Sequence, residues 1–181
     1  MSSHAPPPPD LQSLVQLFYD NPDHFGLSTR IAGHELPQPY RRLLDHNEHM
    51  TVTVEAHHQS EVDVQVLSVK REQRTYCRKI LLSRQSDQKI VQFGIVRLHL
   101  SCLKTKVREE IVSESIPLGR VLIQNNVLRV VELCQLYQIQ CGADRANQFD
   151  VTPSTLTYGR TALIYCNGEP GVELLEIVSP C

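Results

Sequence analysis

From Thr51 to Val178, apolar residues recur at every second position in segments separated by short polar turns. That period marks strands with one face buried. Val52, Val54 and Ala56 alternate with Thr51, Thr53, Glu55 and His57, which predicts a half-buried strand over 51–57. Val62, Val64 and Val66 repeat the pattern, and residues 75–84 and 89–99 predict two more strands joined by the polar turn at 83–88. Further strands are expected near 127–140, 157–166 and 172–178, the last two joined through Asn167-Gly168-Glu169-Pro170-Gly171. Parallel strands need crossovers of about a dozen residues or more, and most of these links are shorter. The fold class is therefore α+β, a single antiparallel β-sheet of six or seven strands with flanking helices.

Helical signals lie at the start and in the middle. Asp10 is placed to cap a helix carrying Leu11, Leu14, Val15, Leu17 and Phe18, which Asn21-Pro22 stops. Pro37 and Pro39 bracket the start of a short helix through Leu43-Leu44. Residues 104–112 read as a surface helix ended by Pro117, and 119–125 as another turn or two. Residues 1–9, with four consecutive prolines, form a disordered Pro-rich tail, and residues 10–181 form one domain. About fifty Pro-rich residues precede the expected sheet, which leaves no room for a helix-turn-helix.

The charge is nearly balanced, 18 basic against 20 acidic residues, with no basic block for nucleic acid and no basic amphipathic stretch for a membrane surface. No leader or apolar run of membrane-spanning length is present. The six cysteines have irregular spacing and no Cys-x-x-Cys, so free thiols in a reducing, cytoplasmic compartment are expected. His46, His49, His57 and His58 cluster in sequence, but two stand in a loop and two at opposite faces of a strand end, so no metal site is expected.

Two strands carry charges among apolar neighbours, an arrangement that is costly unless the charge is paired or used. Tyr76, Arg78, Ile80 and Leu82 share one face of their strand, so Arg78 points where apolar side chains point. It is placed either to pair with an acid such as Glu55 or to fork onto a ligand carboxylate. Glu173 and Glu176 are three apart, so they face opposite sides of the last strand. Pro117-Leu118-Gly119-Arg120 forms a turn into a helix, and Met50 ends a connection before Thr51.

Taken in order, Leu44–Thr51, Tyr76–Leu82, Ile116–Arg120 and Glu173–Pro180 resemble the pattern of the chorismate pyruvate-lyases, over about Pro37 to Pro180. The resemblance implies the chorismate lyase-like fold and a lyase that eliminates pyruvate from chorismate to give 4-hydroxybenzoate. It implies Arg78 and Glu176 as catalytic residues. Arg78 would hold a substrate carboxylate and Glu176 the ring hydroxyl, with Leu118 touching the ligand through its backbone and Met50 lining the pocket. Lys79 stands where the family has glutamate, and Arg160 matches a Gly-Arg pair read as structural. No cofactor is implied, the small-molecule partner is chorismate, and the chain is expected to be a monomer or dimer. The alternatives are a non-catalytic sensor domain for a small aromatic acid, a fold shared with the effector-binding domains of bacterial transcription regulators, or a lyase acting on a related enolpyruvyl substrate.

Overall fold

The computed structural model describes residues 7–181. Of the expected tail, residues 1–6 lie outside that range; Pro7 and Pro8 are exposed and Pro9 is buried. Seven helices and seven strands follow: α1 (Leu11–Val15), α2 (Pro22–Phe25), β1 (Gly26–Ile31), α3 (Tyr40–Leu44), α4 (Met50–His58), β2 (Val62–Arg71), β3 (Thr75–Arg84), β4 (Ile90–His99), α5 (Thr105–Val112), α6 (Leu118–Gln124), β5 (Arg129–Cys141), α7 (Ala143–Phe149), β6 (Leu156–Cys166) and β7 (Glu169–Val178). All strands join one sheet in the order β1-β5-β6-β7-β4-β3-β2, and every neighbouring pair is antiparallel. Two meanders, β2-β3-β4 and β5-β6-β7, are welded along β4 and β7 with Gly94 opposite Glu176.

Alternation decides which side chains meet which helices. Leu81, Phe93, Ile95, Leu175 and Ile177 point to the face covered by α1, α2 and α7. The opposite face carries two apolar clusters side by side. Ile80, Leu82, Val91 and Leu136 pack under α3 and α4. Tyr76, Val96, Leu98 and Leu174 pack under α5 and α6. The seam between those two clusters is where the charged residues of the strands come together.

Three expectations change. Residues 51–57 are not a strand but most of α4. The Val/Thr alternation there also fits a helix that buries Met50, Thr51 and Val54 on one side, and burial against neighbouring helices overrides the β-branched preference. Thr53 Oγ1 donates back to the His49 carbonyl, and Gln59 ends the helix in the left-handed region at φ 50°. The seventh strand is instead β1, whose residues are mostly exposed because it is an edge, so no apolar alternation announces it. Helix α7 also lacks a long stripe; Arg145, Ala146 and Phe149 are its buried residues.

Arg145 is fully buried on the α1/α2/α7 face and, among the described residues, has no ion-pair partner. Its guanidinium lies 3.2 Å from the centroid of the Phe93 ring and donates to Tyr19 Oη at 3.0 Å. Phe93→Ala should therefore cost about 3–5 kcal/mol in urea denaturation, since it leaves a cavity and strips a buried cation of its ring. A loss below about 1 kcal/mol would contradict this packing.

Candidate functional site

A single row across the sheet sets the site: Ile80 (β3), Gly94 (β4), Glu176 (β7), Arg160 (β6) and Leu136 (β5) stand side by side. Glu176 and Arg160 are direct cross-strand neighbours, and Arg160 Nε donates to Glu176 Oε2 at 2.8 Å. The remaining Arg160 donors reach the connection between α3 and α4. Nη1 bonds the Leu44 and His46 carbonyls at 3.4 and 2.8 Å, and Nη2 bonds the Glu48 carbonyl at 2.8 Å. Arg160 is fully buried, and all three of its nitrogens have partners. It fastens the 44–48 loop onto the sheet and leads the chain into α4.

Gly94 leaves an opening in the middle of that row. A Cβ there would stand 3.1 Å from Ile80 Cγ1. Over the gap lies a cavity of about 40 Å³, room for on the order of three waters. Its floor is Arg78, Ile80, Gln92, Gly94, Leu174 and Glu176. Its roof is the starts of α4 and α6, with His49, Met50 and Thr51 meeting Pro117, Leu118 and Gly119. Gly119 is needed for the approach, since a Cβ would stand 3.1 Å from Thr51 Oγ1.

The structure thus brings Met50, Arg78, Leu118 and Glu176 around one cavity. Glu173 points the other way and pairs with Arg97, whose Nη2 is 2.8 Å from Oε1, and with His99. Glu55 is not the partner of Arg78; it pairs with Arg120 and accepts the Val62 amide at 3.0 Å. Arg120 accordingly braces α6 against α4 rather than facing the cavity.

Arg78 is the charged group of the site left without an ion-pair partner among the described residues. It is fully buried, and its one hydrogen bond runs from Nη1 to the Ile111 carbonyl at 3.3 Å. Nε and Nη2 have no partner among the described residues. Burial pushes its pKa down, opposed by Tyr76 and Glu114, whose side chains bond each other at 3.0 Å. Gln92 Oε1, also on the cavity floor, is likewise buried and unpartnered. Counting Arg78 and Arg160 against Glu176, the site carries one uncompensated positive charge. Solvating a guanidinium with nothing is expensive, and a lone anion would relieve it.

Gln92 and Gly94 were not named as site residues in the reading of the sequence, and His49 was weighed there only as a metal ligand. The signal for the first two was present: a glycine inside an apolar strand marks a close approach or a bound group, and alternation puts Gln92 on the same face. His49 accepts from Arg129 Nε at 2.9 Å through Nε2, so its proton is on Nδ1. Burial first, then Arg129 and Arg160, push its pKa down to about 4. The described residues hold no cluster of three or more His, Cys, Asp or Glu arranged for a metal ion, and none of the helices is long and apolar enough to cross a membrane. All six cysteines are free.

No protein-family model and no curated protein matches this chain. Solved structures do. PhnF from Mycobacterium smegmatis is 9% identical over 73% of this chain and 64% of its own, with a TM-score of 0.54. Its effector domain alone gives the same score over 72% and 88%. The ligand-binding domain of a protein described as a GntR-family transcriptional regulator from Bordetella bronchiseptica is 12% identical over 65% and 85%, with a TM-score of 0.51. YydK of Bacillus subtilis is 10% identical over 65% and 57%, with a TM-score of 0.47. The chain spans less than two thirds of the YydK and PhnF chains it matches. The fold, a single antiparallel seven-stranded sheet with flanking helices, is shared with the PhnF effector domain and the Bordetella ligand-binding domain. The expectation of a pyruvate-eliminating lyase is overturned by the PhnF and Bordetella matches: they are described as an effector domain and as the ligand-binding domain of a transcriptional regulator, and neither is described as a lyase.

Two measurements follow from the site. Arg160→Met should lose about 3–5 kcal/mol in chemical denaturation, because it strands Glu176 and frees the 44–48 loop. Arg78→Met should lose nothing and gain up to a few kcal/mol, because it removes a desolvated charge with unmet donors. A loss of several kcal/mol from Arg78→Met would make Arg78 a structural residue. The second measurement concerns pH. The folded pKa of His49 lies below its ordinary 6.5, so protonation opposes folding. Its contribution is complete above pH 6.5 and drains away as pH falls towards about 4, and His58 shifts in the same direction. His49→Gln should flatten the loss of stability between those values; an unchanged slope would contradict the buried, neutral imidazole.

Proposed function

We propose that this chain is a small-molecule-binding sensor domain that takes a small organic carboxylate into the cavity beneath α4 and α6. The observation that carries the reading is Arg78, fully buried on the cavity floor with Nε and Nη2 unpartnered. Those two donors form the edge of a guanidinium that matches a carboxylate with parallel hydrogen bonds. Gln92 Oε1 asks for a donor on the same ligand, such as a hydroxyl. Ile80, Leu82, Val96, Leu118 and Leu174 supply an apolar lining for its body. Glu176, held by Arg160, keeps the floor polar without adding net charge.

A small aromatic acid fits this chemistry, with a size constraint. Cavities that take up benzene are near 150 Å³, whereas this one is about 40 Å³. A ring-sized ligand therefore requires Met50 and Leu118, at the starts of α4 and α6, to move apart. Such movement would carry occupancy of the cavity to two helices on the surface, which is what a sensor needs. The effector and ligand-binding domains that share the fold support this class of role.

The test is thermal unfolding of the protein against a panel of small carboxylic acids, 4-hydroxybenzoate among them, and the corresponding uncharged amides. At least one acid should stabilise the wild type, by about 2.7 kcal/mol at a hundredfold excess over its Kd, while its amide does not. Arg78→Met should abolish the response, and Gly94→Val, which fills the gap in the floor, should do the same. A panel without any response, or a response that survives Arg78→Met, would end the reading.

A further inference from the structure

Strand β5 is long, and only its second half is covered on both sides. Its ladder with β1 joins Gly26–Ile31 to residues 136–141 and stops there. Upstream, residues 129–133 have β6 on one side alone. The Leu128 carbonyl accepts the Asn167 amide at 2.7 Å, so even-numbered residues direct their backbone groups towards β6. Arg129 and Val131 consequently turn N–H and C=O outward. The next outward amide, of Leu133, is already taken by Asn47 Oδ1 at 2.8 Å. What remains open is a two-residue edge carrying two donors and two acceptors.

This edge lacks the usual protection. The opposite edge of the sheet, β2, is broken by a bulge between Val66 and Ser68 and ends in Lys70-Arg71. The β5 edge reads Leu128-Arg129-Val130-Val131, and Leu128 and Val130 are 71% and 61% exposed. Val52, 43% exposed, stands on the far wall of the open groove beside it, with Glu48 and His49. Among the described residues, three of the six large apolar side chains left exposed thus gather at this place. Arg129, Glu48 and Glu132 lie there too, and among the described residues none of them makes an ion pair.

We propose that this edge is the interface with a second copy of the chain, paired strand to strand about a two-fold axis through Val130. The edge is its own complement. Antiparallel pairing centred on Val130 sets Arg129 opposite the partner's Val131 and Val131 opposite the partner's Arg129, so that the four free backbone groups on each side are matched. Val130 meets the partner's Val130 at the close, non-hydrogen-bonded position, and Leu128 covers the partner's Glu132. An isologous contact of this kind closes at two copies. It also reaches the cavity, because Arg129 holds His49 in the cavity wall.

The experiment is sedimentation equilibrium of the wild type, Val130→Lys, Val130→Glu and an equimolar mixture of the two variants, each checked for fold by circular dichroism and thermal unfolding. The wild type should be a dimer, and each variant, with like charges facing across the axis, a monomer of unchanged fold. The mixture should regain the dimer. A wild type that stays monomeric up to submillimolar concentration, variants that remain dimeric, or a mixture that stays monomeric would each overturn the proposal.

Discussion

The ion pair between Arg160 and Glu176 holds the rest of the site in place. It lies in the middle of the sheet, between strands of one meander, and its arginine continues outward to three carbonyls of the α3–α4 connection. A buried pair of this kind gains little over an apolar substitute, yet removing one member is costly. Its value is geometric. It fixes where α4 begins, and the start of α4 with that of α6 closes the cavity over Gly94. Because Glu176 is committed to Arg160, the other buried arginine on this face has no carboxylate of its own.

Arg78 therefore stands as a charge that folding leaves unsatisfied. Two buried arginines on the same face thus differ in their partners, not in their burial, and opposite effects on stability are expected of them. Natural chains rarely keep a desolvated cation with idle donors unless something outside the chain completes it. The positive charge, the unpartnered Gln92 oxygen and the apolar walls fit the proposed ligand, an anion with a small apolar body. The third buried arginine, Arg145, also has an idle Nε but differs in its surroundings. It lies on the far side of the sheet among Phe93, Phe25 and Tyr19, with aromatic faces filling the space a ligand would need.

Much of this was legible in the amino-acid sequence, and the failures share a cause. The strands from 62 onward, the antiparallel class and the face of Arg78 follow from a period of two, which is a local property of the chain. The residues gathered at the cavity come from four separated segments, and their resemblance to the lyases in order and spacing located them without revealing what the chain does. What misled was local pattern without tertiary context. Thr51–His57 alternates as a strand but is a helix, because Met50, Thr51 and Val54 are buried against α6 and α3. Gly26–Ile31 lacks alternation yet is a strand, because an edge needs only backbone partners. The lyase reading failed for a further reason: the same fold and the same polar residues can hold a ligand with or without turning it over, and no residue pattern distinguishes the two.

The most direct measurement is a crystal structure of the protein soaked in sodium bromide, with anomalous scattering used to locate the halide. A seat for anions predicts a bromide inside the cavity, in contact with Arg78 Nε and Nη2, and its loss in Arg78→Met crystals. Bromide only on the surface, with ordered waters satisfying both Arg78 donors, would show that the charge is solvated from within and that the cavity is not an anion site.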